Sequence, residues 1–147
     1  MLFRSAARRY LGDFERPRIE RGVGVWKPKS GLRFADVLVI EESPHAGQPP
    51  RVETFSFKSR TLLVLDEKTL KAQMLADARN ALGYYGETLD IRRPSLQPLL
   101  HAGSEVPVRR VRLFYEGGEL RPKNLDMLKK VAETTEVKVP GVEVRVR

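Results

Sequence analysis

A single α/β (α+β) domain with a mixed central sheet flanked by helices is the fold class the sequence predicts, and two observations predict it. Runs with helical and with strand periodicity succeed one another in the order helix, three strands, helix, strand, helix, strand. The chain has 147 residues, enough for one domain with a real core and too few for two ordinary ones, and it carries no internal repeat or low-complexity tract.

Each element has a local reason. Residues 2–15 read as a short helix with Phe3, Ala6, Ala7, Tyr10 and Leu11 on one side, stopped before Pro17. Residues 22–27 and 32–41 are strand-like, and the segment 43–50, with three prolines, is a turn-rich connector. Residues 51–59 form the next strand, and the apolar run 61–66 leads to a helix capped by Asp66. That helix spans about 67–85, with Leu70, Met74, Ala78, Ala81, Leu82 and Tyr85 at helical spacing, and Gly83 and Gly86 weaken and end it. A looser stretch with Pro94, Pro98 and Pro107 follows. A strand at 108–116, a helix at 124–135 and a final alternating strand at 142–147 complete the chain. The expected division is a basic N-terminal helix and arm (1–30), a core (31–116) and a C-terminal helix and strand (117–147).

Composition narrows the function. There is no cysteine, so disulfide scaffolds, thiolate zinc sites and cysteine nucleophiles are excluded. No apolar run approaches the ~18 residues of a membrane span. The N-terminus is interrupted by Arg4, Arg8 and Arg9, which argues against a secretory signal. With 27 Lys+Arg against 19 Asp+Glu the net charge is +8 and the pI near 10.0, which points to a polyanionic partner. Residues 1–30 hold eight basic side chains and three acids. Arg4, Arg8, Arg9, Arg16, Arg18, Lys27 and Lys29 thus form a candidate phosphate-contacting arm, joined by Arg60 beyond the third strand. A solvated basic face is the plain alternative.

Asp36 interrupts an apolar strand, and a buried aspartate there needs a hydrogen bond, an ion pair or a metal. On the next strand a two-residue period puts Thr54, Ser56 and Lys58 on one face and Glu53, Phe55 and Phe57 on the other. The two phenylalanines mark the packed face, so Lys58 lies opposite it. On the following helix Gln73, Asp77, Asn80 and Tyr84 share a stripe. Carboxylate, ammonium and amide together suit a divalent cation held against a phosphate. Read plainly, Asp36 starts a turn or pairs with an arginine, and Lys58 is a solvated strand end. His45 and His101 sit in turn-like surroundings without ligand spacing. The sequence has no P-loop, no serine-hydrolase elbow and no dinucleotide fingerprint.

This arrangement of Asp36, a hairpin, Lys58 on the next strand and Gln73 on the helix resembles the PD-(D/E)XK nuclease superfamily, which includes restriction-type endonucleases and bacterial toxin nucleases. The resemblance implies a restriction-endonuclease-like core of helix, three strands, helix and strand over residues 2–115, with the last helix and strand as an addition. It assigns Asp36 to the metal-binding aspartate, Lys58 to the catalytic lysine and Gln73 to the helical glutamine, with Mg²⁺ or Mn²⁺ as cofactor and no small-molecule cofactor. Where the family has Asp or Glu two residues before the lysine, this chain has Ser56. Asp77 from the helix, Glu53 through a strand bulge, or Glu15 or Glu20 near the N-terminus would replace the missing carboxylate. Otherwise the site is dead and the domain binds without cleaving.

The expected substrate is DNA, with RNA as the second choice. A compact, basic catalytic module further resembles toxin domains acting between competing bacteria. That likeness implies delivery by a secretion system, action in the cytoplasm of the target cell and an acidic immunity protein as partner. The alternatives from other classes are a non-catalytic nucleic-acid- or partner-binding domain, and a structural component of a phage or secretion assembly.

Overall fold

The computed structural model describes residues 10–43, 48–58, 66–100, 105–115 and 122–146, with the backbone alone for 122–124. The fold is mixed α+β, built on one sheet of seven strands in the order β5-β4-β1-β2-β3-β6-β7. The strands are β1 (Pro17–Lys27), β2 (Gly31–Glu41), β3 (Val52–Lys58), β4 (Thr88–Ile91), β5 (Glu105–Pro107), β6 (Arg110–Tyr115) and β7 (Val142–Val146). Five of them, β5 to β3 in sheet order, pair antiparallel. The β3–β6 and β6–β7 pairs are parallel. Parallel neighbours need a crossover. Helices α1 (Glu67–Tyr85) and α2 (Pro122–Lys138) lie on the two crossovers.

α1 forms where its apolar spacing places it. The Asp66 side chain accepts the Thr69 N–H at 2.7 Å, and Gly86 ends the helix by donating to the Leu82 carbonyl. Its buried residues Leu70, Met74, Ala78 and Ala81 pack with Val111, Leu113 and Tyr115 of β6, Leu128 and Val131 of α2, and Val142 and Val144 of β7. Both described helices therefore share one sheet face.

The opposite face carries an aromatic cluster of Phe14, Phe55 and Phe114, with Tyr10 and Phe57 against it. Phe114 stacks on Phe55 at 5.9 Å and on Phe57 at 5.2 Å between ring centroids. Between the ladder pairs Arg21↔Val37 and Val23↔Ala35 stands Gly22, at φ +58°, a conformation that costs glycine least. There β1 bends. Ile19 joins the cluster of Val37 and Val39, whereas Val23 and Val25 join that of Leu38 and Ile40.

Several expectations are corrected. Residues 10–16 are turns rather than the end of a helix, while positions 2–9 of that expected helix lie outside the described residues. β1 begins at Pro17, five residues earlier than expected, so Arg18, Glu20 and Arg21 are strand residues. The looser proline-containing stretch forms β4, a 3-10 helix at Pro94–Leu99 and β5, which add an antiparallel edge to the sheet. Residues 61–65 of the expected 61–66 run, His45 and His101 lie outside the described residues. None of the described helices is long and apolar enough to cross a membrane.

Candidate functional site

β2 and β3 are paired from Val37↔Phe55 to Ile40↔Val52, and the ladder ends at Val37. One residue on, the Asp36 carboxylate takes a ladder-like position itself, because its Oδ2 accepts the Phe57 N–H at 2.9 Å. Asp36 is exposed, which corrects the expectation of a buried acid. Its place in an apolar strand is explained by this hydrogen bond, which orients one oxygen.

Ser56 and Lys58 follow on β3. Their ladder partners on β6 are Leu113 and Tyr115, both in the cluster beneath the helices, so Ser56 and Lys58 face the helix side as the alternation predicts. Ser56 is buried and Lys58 half-buried. Lys58 forms no ion pair or hydrogen bond with the described residues.

Above Tyr115 stands Asp77, 3% exposed. Its Oδ2 accepts the Tyr115 hydroxyl at 2.6 Å and its Oδ1 the Gln73 amide at 3.0 Å. Gln73 and Asp77 thus meet by their i, i+4 spacing on α1, one strand away from Lys58. Tyr85, at the end of α1, completes the surroundings. Its carbonyl accepts the Thr54 hydroxyl at 3.0 Å. Burial pushes its phenol upward, and the negative charge of Asp36 adds to that shift.

One prediction follows from this geometry. Asp36→Asn removes the charge but leaves the burial, so the Tyr85 phenol should titrate lower than in the wild type yet still above an ordinary tyrosine. Titration of ring-labelled tyrosine by NMR reads this directly, and an unchanged Tyr85 value would separate the two residues. A phenol raised on folding stabilises the protein fully below its unfolded value, and the contribution is lost as pH rises through the folded value.

Other sequence-based candidates lie elsewhere. Glu53 is fully buried on the aromatic face, where its Oε1 pairs with Arg112, and no bulge turns it toward Lys58; the bulge route is corrected. Glu15 is exposed, and Glu20 bonds Arg18 at 2.7 Å and Arg93 at 3.2 Å on β1. Lys27, expected in the basic arm, is tied to Glu87 at 3.0 Å and to the Gly86 carbonyl at 2.9 Å. Arg16 and Lys29 are exposed. Arg4, Arg8, Arg9 and Arg60 lie outside the described residues. Asn80 is exposed, and the Tyr84 ring lies under Arg33 at 4.1 Å.

Sequence reasoning reads Tyr85 only as one of the helically spaced positions of α1, and it does not single out Tyr115. Tyr115 ends an apolar strand as a polar-tipped residue, and that was the available signal.

No family model, curated protein or solved structure matches the chain.

Among the described residues, no group of three or more His, Asp or Glu side chains is gathered to hold a metal. A site for Mg²⁺ does not require one. This cation keeps several waters and is held by one or two carboxylates together with a substrate phosphate. Asp36, exposed and with one oxygen oriented by the Phe57 N–H, fits that pattern, while Ser56 offers a neutral oxygen two residues before Lys58.

Proposed function

We propose that the chain is a metal-dependent nuclease of the PD-(D/E)XK type, hydrolysing phosphodiester bonds in DNA, as in nuclease toxins held in check by an acidic immunity protein. One observation carries the reading. The Asp36 carboxylate is pinned by the Phe57 N–H at the fork between β2 and β3, and Lys58, unpaired among the described residues, lies on the helix-facing side of that same strand. Support also comes from the order of elements, since three antiparallel strands are followed by α1 and then by a strand parallel to β3. β4, the 3-10 helix and β5 are inserted before that strand, and α2 and β7 follow it.

On this reading Asp36 supplies the direct carboxylate for Mg²⁺ or Mn²⁺, which when bound lowers the pKa of a water and neutralises phosphate charge. Lys58 stands beside the phosphate and stabilises the charge that develops on its oxygens. Asp77, held by Tyr115 and Gln73, is a carboxyl group on the helix side that links α1 to β6.

Plasmid incubated with Mg²⁺ or Mn²⁺ should be nicked, and chelator should stop it. A plasmid left intact by all divalent metals would refute the nuclease reading. It would favour the second reading, a non-catalytic nucleic-acid-binding domain, which draws on the neutral Ser56 and on an Asp77 whose two oxygens are both already hydrogen-bonded.

A further inference from the structure

Arg33 stands on the helix-facing side of β2. Its ladder partner is Val25, which packs with Leu38 and against Tyr85 at the end of α1. The Arg33 guanidinium lies over the neighbouring Tyr84 ring, 4.1 Å from its centroid, and the residue is exposed. Arg18, Arg92, Arg93, Arg109, Arg112 and Arg145 each reach a carboxylate. Arg33 reaches none among the described residues, although Asp36 is three residues along the same strand.

The two charges nevertheless act on one phenol. Burial does most to raise Tyr85, Asp36 adds to the rise and Arg33 opposes it. Arg33 and Asp36 therefore flank Tyr85, and Lys58 stands on the same side of the sheet on β3. An arginine held over a ring gives up side-chain freedom, and the stack occupies only the flat face of its guanidinium. The N–H donors lie in the plane of that group, where they match phosphate oxygens two at a time.

The geometry points to Arg33 as a phosphate-binding residue of the candidate site, holding a backbone phosphate of DNA next to the one at Asp36. Tyr84 is the positioning residue that gives the guanidinium its platform. Arg33 and Asp36 are about 10 Å apart along β2, so the guanidinium serves a neighbouring phosphate without taking the Asp36 carboxylate as its own partner. The assignment rests on the nuclease reading for the event at Asp36. It adds to that reading a substrate contact from the β1–β2 hairpin.

Binding to a labelled duplex is measured by fluorescence anisotropy in chelator over a series of salt concentrations, and nicking is measured with Mn²⁺ at saturating DNA. The proteins are the full chain, Arg33→Gln, Arg33→Lys and Tyr84→Ala. Arg33→Gln keeps a flat group for Tyr84 and removes the charge. Its plot of log affinity against log salt should be shallower than the wild type's by about 0.9, the share of one phosphate, and its nicking about 10- to 100-fold slower. Arg33→Lys keeps the charge and should keep the slope. Tyr84→Ala keeps Arg33 without its platform and should bind about two- to fivefold more weakly.

A wild-type slope in Arg33→Gln overturns the proposal, and so does a slope in Arg33→Lys as shallow as that of Arg33→Gln. Tyr84→Ala binding as tightly as the wild type overturns the platform. A shallower slope in Arg33→Gln with nicking unchanged puts the phosphate away from the bond cut and overturns the placement. If the wild type nicks no DNA with any metal while the Arg33→Gln slope falls as expected, the nuclease reading is lost and the phosphate contact stands. If the wild type nicks and Arg33→Gln matches it in slope and rate, the nuclease reading stands and the contact is lost.

Discussion

Replacing Lys58 by alanine is expected to slow phosphodiester cleavage by about 10²- to 10³-fold, the usual loss when one group that stabilises developing charge is removed. Fold and DNA affinity should hardly change. The side chain is half-buried and makes no hydrogen bond or ion pair with the described residues, so its removal strands no partner among them. It is also one cation among 27, and bulk binding to a polyanion sums over many contacts. Single-turnover nicking, with circular dichroism and anisotropy on the same protein, separates the cases. Cleavage at the wild-type rate would remove Lys58 from the mechanism. A loss of cleavage that matches a loss of binding would make it a docking residue.

The largest effect on stability is expected at Arg112. Its guanidinium bonds the fully buried Glu53, donates from Nε to Glu143 at 2.8 Å, and lies over the Tyr10 and Phe55 rings at 4.8 and 5.4 Å. Arg112→Ala leaves the Glu53 carboxylate in an apolar cluster with neither oxygen satisfied, since its Oε2 already lacks a partner. Removing one member of a buried ion pair costs about 3–5 kcal/mol. Urea unfolding should show a loss of that order, and the double substitution Glu53→Leu/Arg112→Met should restore most of it because the stranded charge is gone. If the double variant is no better than Arg112→Ala, the cost comes from packing rather than from the unpaired charge.

The parts of the fold legible in the sequence are those set by local chemistry. Asp66 before a run of helical spacing, and Gly86 after it, mark α1 at both ends. Alternation on β3 puts Phe55 and Lys58 on opposite faces. What escaped the sequence depends on pairing between distant residues. β1 hides behind charged positions such as Arg18 and Glu20, which read as a solvated arm until their ion pair and the β2 partner are known. β4 and β5 are too short, and too near prolines, to announce themselves, and they exist because Val25 and Leu89 offer ladder partners. In the candidate site the same division holds. Asp36 and Lys58 stand out as departures from an apolar pattern, but the Phe57 N–H that orients Asp36 follows only from how β2 and β3 part. Gln73 and Asp77 share a helix face by spacing, whereas Tyr115, 38 residues from Asp77, is brought to it by the crossover. Glu53 shows the limit most plainly. It looked like a spare ligand, and its ion pair with a residue 59 positions away on β6 commits it to the other face.

The central claim is that Asp36 holds a divalent cation beside Lys58, and the uptake of Mn²⁺ followed by the loss of its free-ion EPR signal tests it most directly. The wild-type chain should bind Mn²⁺, and Asp36→Asn, which keeps the shape and removes the charge, should bind it at least about tenfold more weakly. A wild type that takes up no Mn²⁺, or an Asp36→Asn variant that takes up as much, would contradict the claim.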